Sequence, residues 1–239
     1  MQKKDSPYLT SQAPLKRQSD FIDYTIHELK NSLTVISSFS QLLKKSLEKQ
    51  GEPKMLLSVS KIESQIKIMA QQLDSYADAL KLDFGNLDFV EEAFSLDEAV
   101  TEVVVDFKKS NPTYVFSIIG STNRLVRADR YRIKQVVTTL LNQVIACSLE
   151  NKKVVIKLAT SSSKAKVSVC VFERVSPSDY QILGEKFAQA KTQPLSPETD
   201  VQLFLAHSVI EKYKGKLTLS SKEKGEIIFS FSLPMLVTD

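Results

Sequence analysis

Two apolar seams, separated by one short break, constrain this chain more than any other feature. From Phe21 onwards Ile22, Ile26, Leu29, Leu33, Ile36, Ser40, Leu43 and Leu47 recur in alternating steps of four and three, interrupted only at Ser40. That is the period of a helix burying one stripe. Gly51 and Pro53 then stop one helix and start the next, the glycine at C′ and the proline at N1. A second seam runs through Met55, Val59, Ile62, Ile66, Met69, Leu73, Tyr76 and Leu80 and ends before Gly85. The pattern predicts a helical hairpin over residues 18–84. A hairpin with apolar stripes on both helices cannot bury them by itself, so it is expected to pair with a copy of itself in an antiparallel four-helix bundle, a homodimer. The other way to cover it is packing on the remainder of its own chain.

Residues 1–17 show no apolar period and read as a flexible leader. Past Asn86 the pattern becomes mixed. Leu96 to Phe107, Arg130 to Ser148, a segment opened by Pro177, and Val201 to Lys214 read as helices. Tyr114 to Ile119, Val154 to Ala159, Lys166 to Phe172, Leu217 to Leu219 and Glu226 to Leu233 read as strands, the last two forming a hairpin around Gly225, and Gln193 to Pro197 reads as a loop. The expected fold class is α+β: a helical hairpin, then a two-layer α/β sandwich over 87–239 with its helices on one face of a mixed sheet.

Several function classes are excluded by what is scarce. The six glycines stand at 51, 85, 120, 184, 215 and 225, and no two have the spacing of a phosphate-cradling loop. With two histidines, His27 and His207, a multi-histidine metal centre is out of reach, and no metal site is expected. Cys147 and Cys170 stand alone and read as buried thiols of a reducing compartment. A net charge of +4 with interleaved signs does not demand nucleic acid. No apolar run is long enough for a membrane segment, so a cytoplasmic location is expected.

His27 lies one position past the seam residue Ile26, so it points away from the seam, and Asn31 follows four residues later along the same stripe. An exposed imidazole beside the carboxylate of Glu28 is suited to receive a phosphoryl group, because Glu28 can hold the nucleophilic tautomer and accept its proton. The Asn31 amide can orient a water towards a phosphoryl group held there.

The segment Asp20-Phe-Ile-Asp-Tyr-Thr-Ile-His27-Glu-Leu-Lys-Asn-Ser-Leu33 resembles the phosphoacceptor box of two-component sensor histidine kinases, H-E-L-[RK]-[TN]-P-L. In that family the box lies on the first helix of a dimeric hairpin followed by an α/β ATP-binding domain. The resemblance runs from about residue 18 to residue 234 and implies that His27 is the phosphoacceptor. Ser32 replaces the family proline, which implies a weaker helix bend.

Further along, the resemblance carries departures. Ala128-Asp129-Arg130 and Gln135-Val-Val-Thr-Thr139-Leu-Leu-Asn-Gln143 resemble the family's asparagine box, whose two asparagines, in N-L-x-x-N-A, fall on Thr139 and Gln143. The second of these binds the nucleotide's magnesium in the family, and glutamine's extra methylene displaces the oxygen from a strict octahedral ion. Asn142 is one residue off, rotated by about 100°, and reads as structural. Glu173 stands near the place of the adenine-binding aspartate in D-x-G-x-G, with no glycine beside it. The glycine-rich phosphate loop falls on Glu198-Thr-Asp-Val-Gln-Leu203, where Glu198 and Asp200 are expected to repel a triphosphate. His207 reads as a solvated helix histidine. Phe187, the segment from Gly215 to Ser221 and that from Phe229 to Pro234 match core and turn positions of the family.

The resemblance therefore implies a histidine phosphotransferase on a histidine-kinase chassis with a degenerate ATP site at Thr139, Gln143, Glu173, Glu198 and Asp200. His27, Glu28 and Asn31 are its expected catalytic residues. The expected partners are response-regulator receiver domains and a second copy of the chain, with no nucleic acid. No cofactor of its own is expected, magnesium being supplied by the receiver. A response-regulator phosphatase using Asn31, a non-catalytic pseudokinase scaffold and a divergent active histidine kinase are the alternatives.

Overall fold

The computed structural model describes residues 12–51, 53–148, 152–172, 176–192, 200–222 and 225–236. The chain divides into two compact units, Met1–Leu87 and Asp88–Asp239. The first holds α1 (Gln12–Gln50) and α2 (Pro53–Asp83). The helix α1 thus starts inside the segment expected to be a flexible leader, and residues 1–11 lie outside the described ones. Gly51 between the helices has φ +71, the left-handed conformation that favours glycine after a helix.

Each sequence seam proves to be two interleaved rows. On α1 Ile26, Leu33, Ser40 and Leu47, seven residues apart, are buried in the hairpin, whereas Leu29, Ile36 and Leu43 are exposed. On α2 Val59 is buried, while Met55, Ile62, Met69 and Tyr76 form the exposed row. Ser40 breaks the apolar sequence yet sits within the buried row, where its small side chain fits between helices. Among the described residues two ion pairs cross the hairpin: Lys44 Nζ to Glu63 Oε2 at 2.8 Å and Lys30 to Asp74. Their antiparallel register follows from the hairpin, and each is partly exposed, so their contribution is small.

The second unit runs β1 (Glu91–Ser95), α3 (Leu96–Ser110), β2 (Val115–Gly120), β3 (Leu125–Asp129), α4 (Arg130–Cys147), β4 (Lys153–Ser161), β5 (Lys164–Phe172), α5 (Pro177–Thr192), α6 (Val201–Lys212), β6 (Lys216–Lys222) and β7 (Glu226–Pro234). Its larger sheet has the order β2-β4-β5-β7-β6, with β2 parallel to β4 and the other pairs antiparallel. One face supplies the core: Val154, Ile156 and Leu158 of β4, Val167, Val169 and Val171 of β5, and Ile227, Phe229 and Phe231 of β7 pack with Val100 of α3 and Ile133, Leu140 and Leu141 of α4. The two-layer arrangement with helices on one side of a mixed sheet is the one expected.

The strands β1 and β3 pair antiparallel in a separate two-stranded sheet and were not legible in the sequence. Each has five residues and β1 buries only Phe94, so neither repeats its alternation often enough to stand out. Their ends are fixed by helix caps. The Ser95 hydroxyl accepts from Glu98 N at the start of α3, and Asp129 Oδ1 accepts from Arg132 N at the start of α4. Asp129 Oδ2 also accepts from Val90 N at 2.9 Å, and Asp129 N donates to the Tyr213 hydroxyl at 3.1 Å. Gly120 closes β2 with φ +76, where a Cβ would stand 2.2 Å from the Leu158 carbonyl oxygen, so no other residue fits. Among the described residues no helix is long and apolar enough to cross a membrane.

Candidate functional site

His27 lies on the exposed side of α1, its side chain 71% accessible. Its buried neighbour Ile26 faces into the hairpin, and the helical step of about 100° per residue turns His27 outward. Asn31, one turn on, brings its Nδ2 to 3.2 Å from His27 Nδ1. An amide can serve either ring tautomer: its N–H donates to a bare Nδ1, and turned over its oxygen accepts Nδ1–H, leaving Nε2 with a free lone pair. Glu28 Oε1 stands 3.9 Å from the same nitrogen, beyond hydrogen-bond reach. The structure thus gives Asn31 the contact with the ring that the sequence assigns to Glu28, and holds Glu28 close by.

The surroundings of the ring are open and polar. Ser32 Oγ donates to the Glu28 carbonyl at 3.1 Å, and Thr34 and Ser38 bond back to Lys30 and Thr34 in the same way. Such back-bonds soften a helix slightly, and α1 is continuous through Ser32. The row that carries His27 and Asn31 continues through Val35 and Leu42, with Phe39 beside it. These three are 54%, 62% and 68% exposed, an apolar extension of the histidine's own stripe that the sequence reading did not single out. Steps of four and seven from Asn31 are the signal that reveals it.

A second cluster gathers residues expected at the ATP site. Thr139 is buried in α4, and Gln143, one turn later, is half-buried. Its Nε2 donates to Asp200 Oδ2 at 2.5 Å. The other oxygen of Asp200 accepts from Gln202 N at 3.0 Å and Leu203 N at 3.1 Å, capping α6. Asp200 is thus engaged on both oxygens, by a helix N-terminus and by an amide. An aspartate directly before an apolar helical run is an N-cap signal in its own right, masked here by reading the segment as a lost phosphate loop. Asn142 is exposed. Glu173 and Glu198 lie outside the described residues.

His207 corrects an expectation. It is 4% exposed, so it is no solvated surface histidine. Its ring packs on Phe187 of α5 with centroids 4.6 Å apart, and its Nε2 has no hydrogen-bond partner among the described residues. Burial pushes its imidazole below the ordinary 6.5. The helix α6 is apolar on most sides, which leaves no stripe from which to read its exposed face. Cys170 is buried as expected, and Cys147 is half-buried, its thiol pushed up by desolvation.

Comparison with known proteins agrees with this geometry. Residues 17–85 match the His Kinase A (phospho-acceptor) domain family. The sensor protein RprX of Bacteroides fragilis is 22% identical over 93% of this chain and 44% of its own length. The sensor histidine kinase YkoH of Bacillus subtilis is 30% identical over 55% of this chain and 29% of its own. The chain therefore spans less than half the length of these relatives. Among solved structures, histidine kinase ThkA in complex with the response regulator TrrA aligns with TM-score 0.55 and 24% identity over 96% of this chain and 66% of its own. The Acinetobacter baumannii histidine kinase AdeS aligns with TM-score 0.56 and 18% identity over 87% of this chain and 98% of its own; both likenesses show the fold. Over residues 17–85 the chain is thus similar to the His Kinase A (phospho-acceptor) domain family, and over a longer stretch it is similar to sensor histidine kinases.

Proposed function

We propose that this chain is a histidine phosphotransferase that exchanges a phosphoryl group between His27 and the aspartate of response-regulator receiver domains, without a nucleotide of its own. In the forward step the Nε2 lone pair attacks the phosphorus of the receiver's aspartyl phosphate. An N–P bond forms, the acyl-phosphate P–O bond breaks, and the aspartate carboxylate leaves with the electron pair. The Nδ1 proton stays on the ring, accepted by the Asn31 amide oxygen once that amide, whose Nδ2 stands 3.2 Å from Nδ1, is turned over, with Glu28 near enough to offset the developing positive charge. Transfer to a second receiver is the reverse of the same step. Charge on the phosphoryl oxygens is neutralised on the receiver's side, by the Mg²⁺ that the receiver holds.

The observation that carries this reading is the contrast between an open His27 and a self-capped α6. A helix N-terminus offers backbone N–H groups to a phosphate, but at α6 Asp200 already takes two of them and the Gln143 amide besides. The residues present do not suit a magnesium nucleotide at that place: an anion would have to displace a carboxylate bonded on both oxygens. The exposed apolar row of Val35, Phe39 and Leu42 supports docking of a protein beside the phosphoacceptor, and ThkA, similar in fold, forms a complex with the response regulator TrrA. The exposed rows Leu29, Ile36, Leu43 and Met55, Ile62, Met69 support a homodimer in which one protomer's hairpin covers its partner's.

A divergent active kinase is the second reading, favoured by the similarity to RprX, which spans both units. Calorimetric titration with Mg²⁺-ATP separates the two. No heat of binding at millimolar nucleotide is expected; micromolar binding would replace the transferase reading with autophosphorylation of His27.

A further inference from the structure

The two edges of the larger sheet are not alike. At one end β6 reads Lys-Leu-Thr-Leu-Ser-Ser-Lys, with Lys216 and Lys222 at its termini, and charges so placed keep an edge from pairing. At the other end β2 reads Val-Phe-Ser-Ile-Ile-Gly and has neither a charge nor a proline. Val115 N donates to Lys152 O at 2.7 Å. The odd-numbered residues of β2 therefore turn their backbone groups towards β4, and the even-numbered Phe116 and Ile118 turn theirs outward. Among the described residues nothing pairs with those outward groups.

The side chains alternate in the same way. Phe116 and Ile118 pack on the core, whereas Val115 and Ile119 are 58% and 49% exposed, with Ser117 exposed between them. On either side of this span the chain cannot extend the edge. Pro112 precedes it, and after it the Thr122 and Asn123 amides donate to Asp97. An uncharged apolar strand with unpaired backbone groups along one side is a template for another strand.

We propose that β2 pairs antiparallel with β2 of a second copy of this chain, about a twofold axis at Ser117, joining two five-stranded sheets into one. In that register Phe116 exchanges both backbone bonds with the partner's Ile118, and Ile118 with the partner's Phe116, about four hydrogen bonds in all. On the exposed side Val115 falls opposite the partner's Ile119 and Ile119 opposite the partner's Val115, with the two Ser117 hydroxyls meeting on the axis. The register that satisfies the backbone thus also covers both exposed apolar side chains, which favours a second copy over an unrelated extended peptide. Charge does not oppose the pairing. Lys153 and Lys157 lie beside Val115 and Ile119 on β4. Lys153 therefore stands three strand spacings, about 14 Å, from the partner's Lys157, beyond the screening length of about 8 Å at physiological salt. Lys157 is also neutralised by Glu226 at 2.8 Å. The contact is well under the area of a stable complex, so it forms at high concentration. It is independent of the chemistry at His27 and of pairing through the hairpin.

The test uses the full chain carrying Ile36→Glu and Leu43→Glu, so that the hairpins do not pair, and follows its sedimentation from about 10 µM to about 1 mM, the range suited to so small a contact. Single chains that become pairs as concentration rises are expected. Ser117→Lys and Ser117→Asp each set like charges opposite one another on the axis, and each is expected to stay single. Their equimolar mixture is expected to pair about tenfold more tightly than either alone. A second measurement needs no hairpin variant: under oxidising conditions Ser117→Cys is expected to give a disulfide-linked pair of chains and Thr113→Cys none, because only position 117 meets itself across the axis. A parent chain that stays single at the highest concentration, pairing untouched by either charge at Ser117, a mixture no tighter than its components, or equal cross-linking from Thr113→Cys would overturn the proposal.

Discussion

In the transfer proposed here His27 acts with Asn31, whose Nδ2 stands 3.2 Å from its Nδ1. Replacing Asn31 by Ala removes one hydrogen bond to the ring, a loss of about 1 kcal/mol. We expect phosphoryl transfer to slow about five- to tenfold with the receiver concentration for half-maximal rate unchanged; a change in that concentration alone would make Asn31 a docking residue. Both members of the pair were legible in the sequence, because an i, i+4 spacing beside a seam fixes which face they share. The division of labour between Asn31 and Glu28 was not. It depends on side-chain rotamers, and two residues adjacent to or one turn from a histidine are equally placed by spacing. Asp200 shows the opposite failure: its position was read correctly, but one carboxylate has room for a cap, a repulsion or a ligand, and only the partners choose.

Among the elements, α5 and α6 are joined through a buried imidazole. Phe187 of α5 packs on His207 and on Phe229 of β7, while Lys191 of α5 pairs with Glu211 of α6 at 3.2 Å on the surface above. Burial depresses the His207 imidazole, with Glu211 raising it and Lys191 lowering it by lesser amounts. In the unfolded chain the group takes a proton near its ordinary 6.5. Its contribution to stability is therefore complete above that value and declines as pH falls through the lower folded value. A His207→Phe variant keeps the stacking and lacks the charge. We expect the wild type to lose melting temperature relative to this variant between pH 7.5 and pH 5, and a pH-independent difference would show that the imidazole is not buried in solution. The helices and long strands were legible because seams, caps and alternation repeat within them. The short strands β1 and β3 were not, since pairing with each other rather than local pattern makes them strands.

At the scale of the whole molecule, the hairpin leaves an apolar row uncovered on each helix. An isolated helical pair showing Leu29, Ile36, Leu43, Ile62 and Met69 to water is a surface that associates. Light scattering is expected to give twice the chain mass for the wild type and the single-chain mass for an Ile36→Glu, Leu43→Glu variant. A wild type already at the single-chain mass would contradict the four-helix bundle. The sequence foretold both units because each has its own periodicity, three-four steps first and alternation after.

The most direct measurement is phosphoryl transfer in the absence of nucleotide. Receiver domains charged with ³²P on aspartate are mixed with the purified chain, and acid-labile, base-stable label is followed on the wild type and on His27→Gln. The account expects label on the wild type within minutes, none on the variant, and onward passage to an uncharged receiver. Label that never leaves the receiver, or that is lost to water equally fast with His27→Gln, would contradict it.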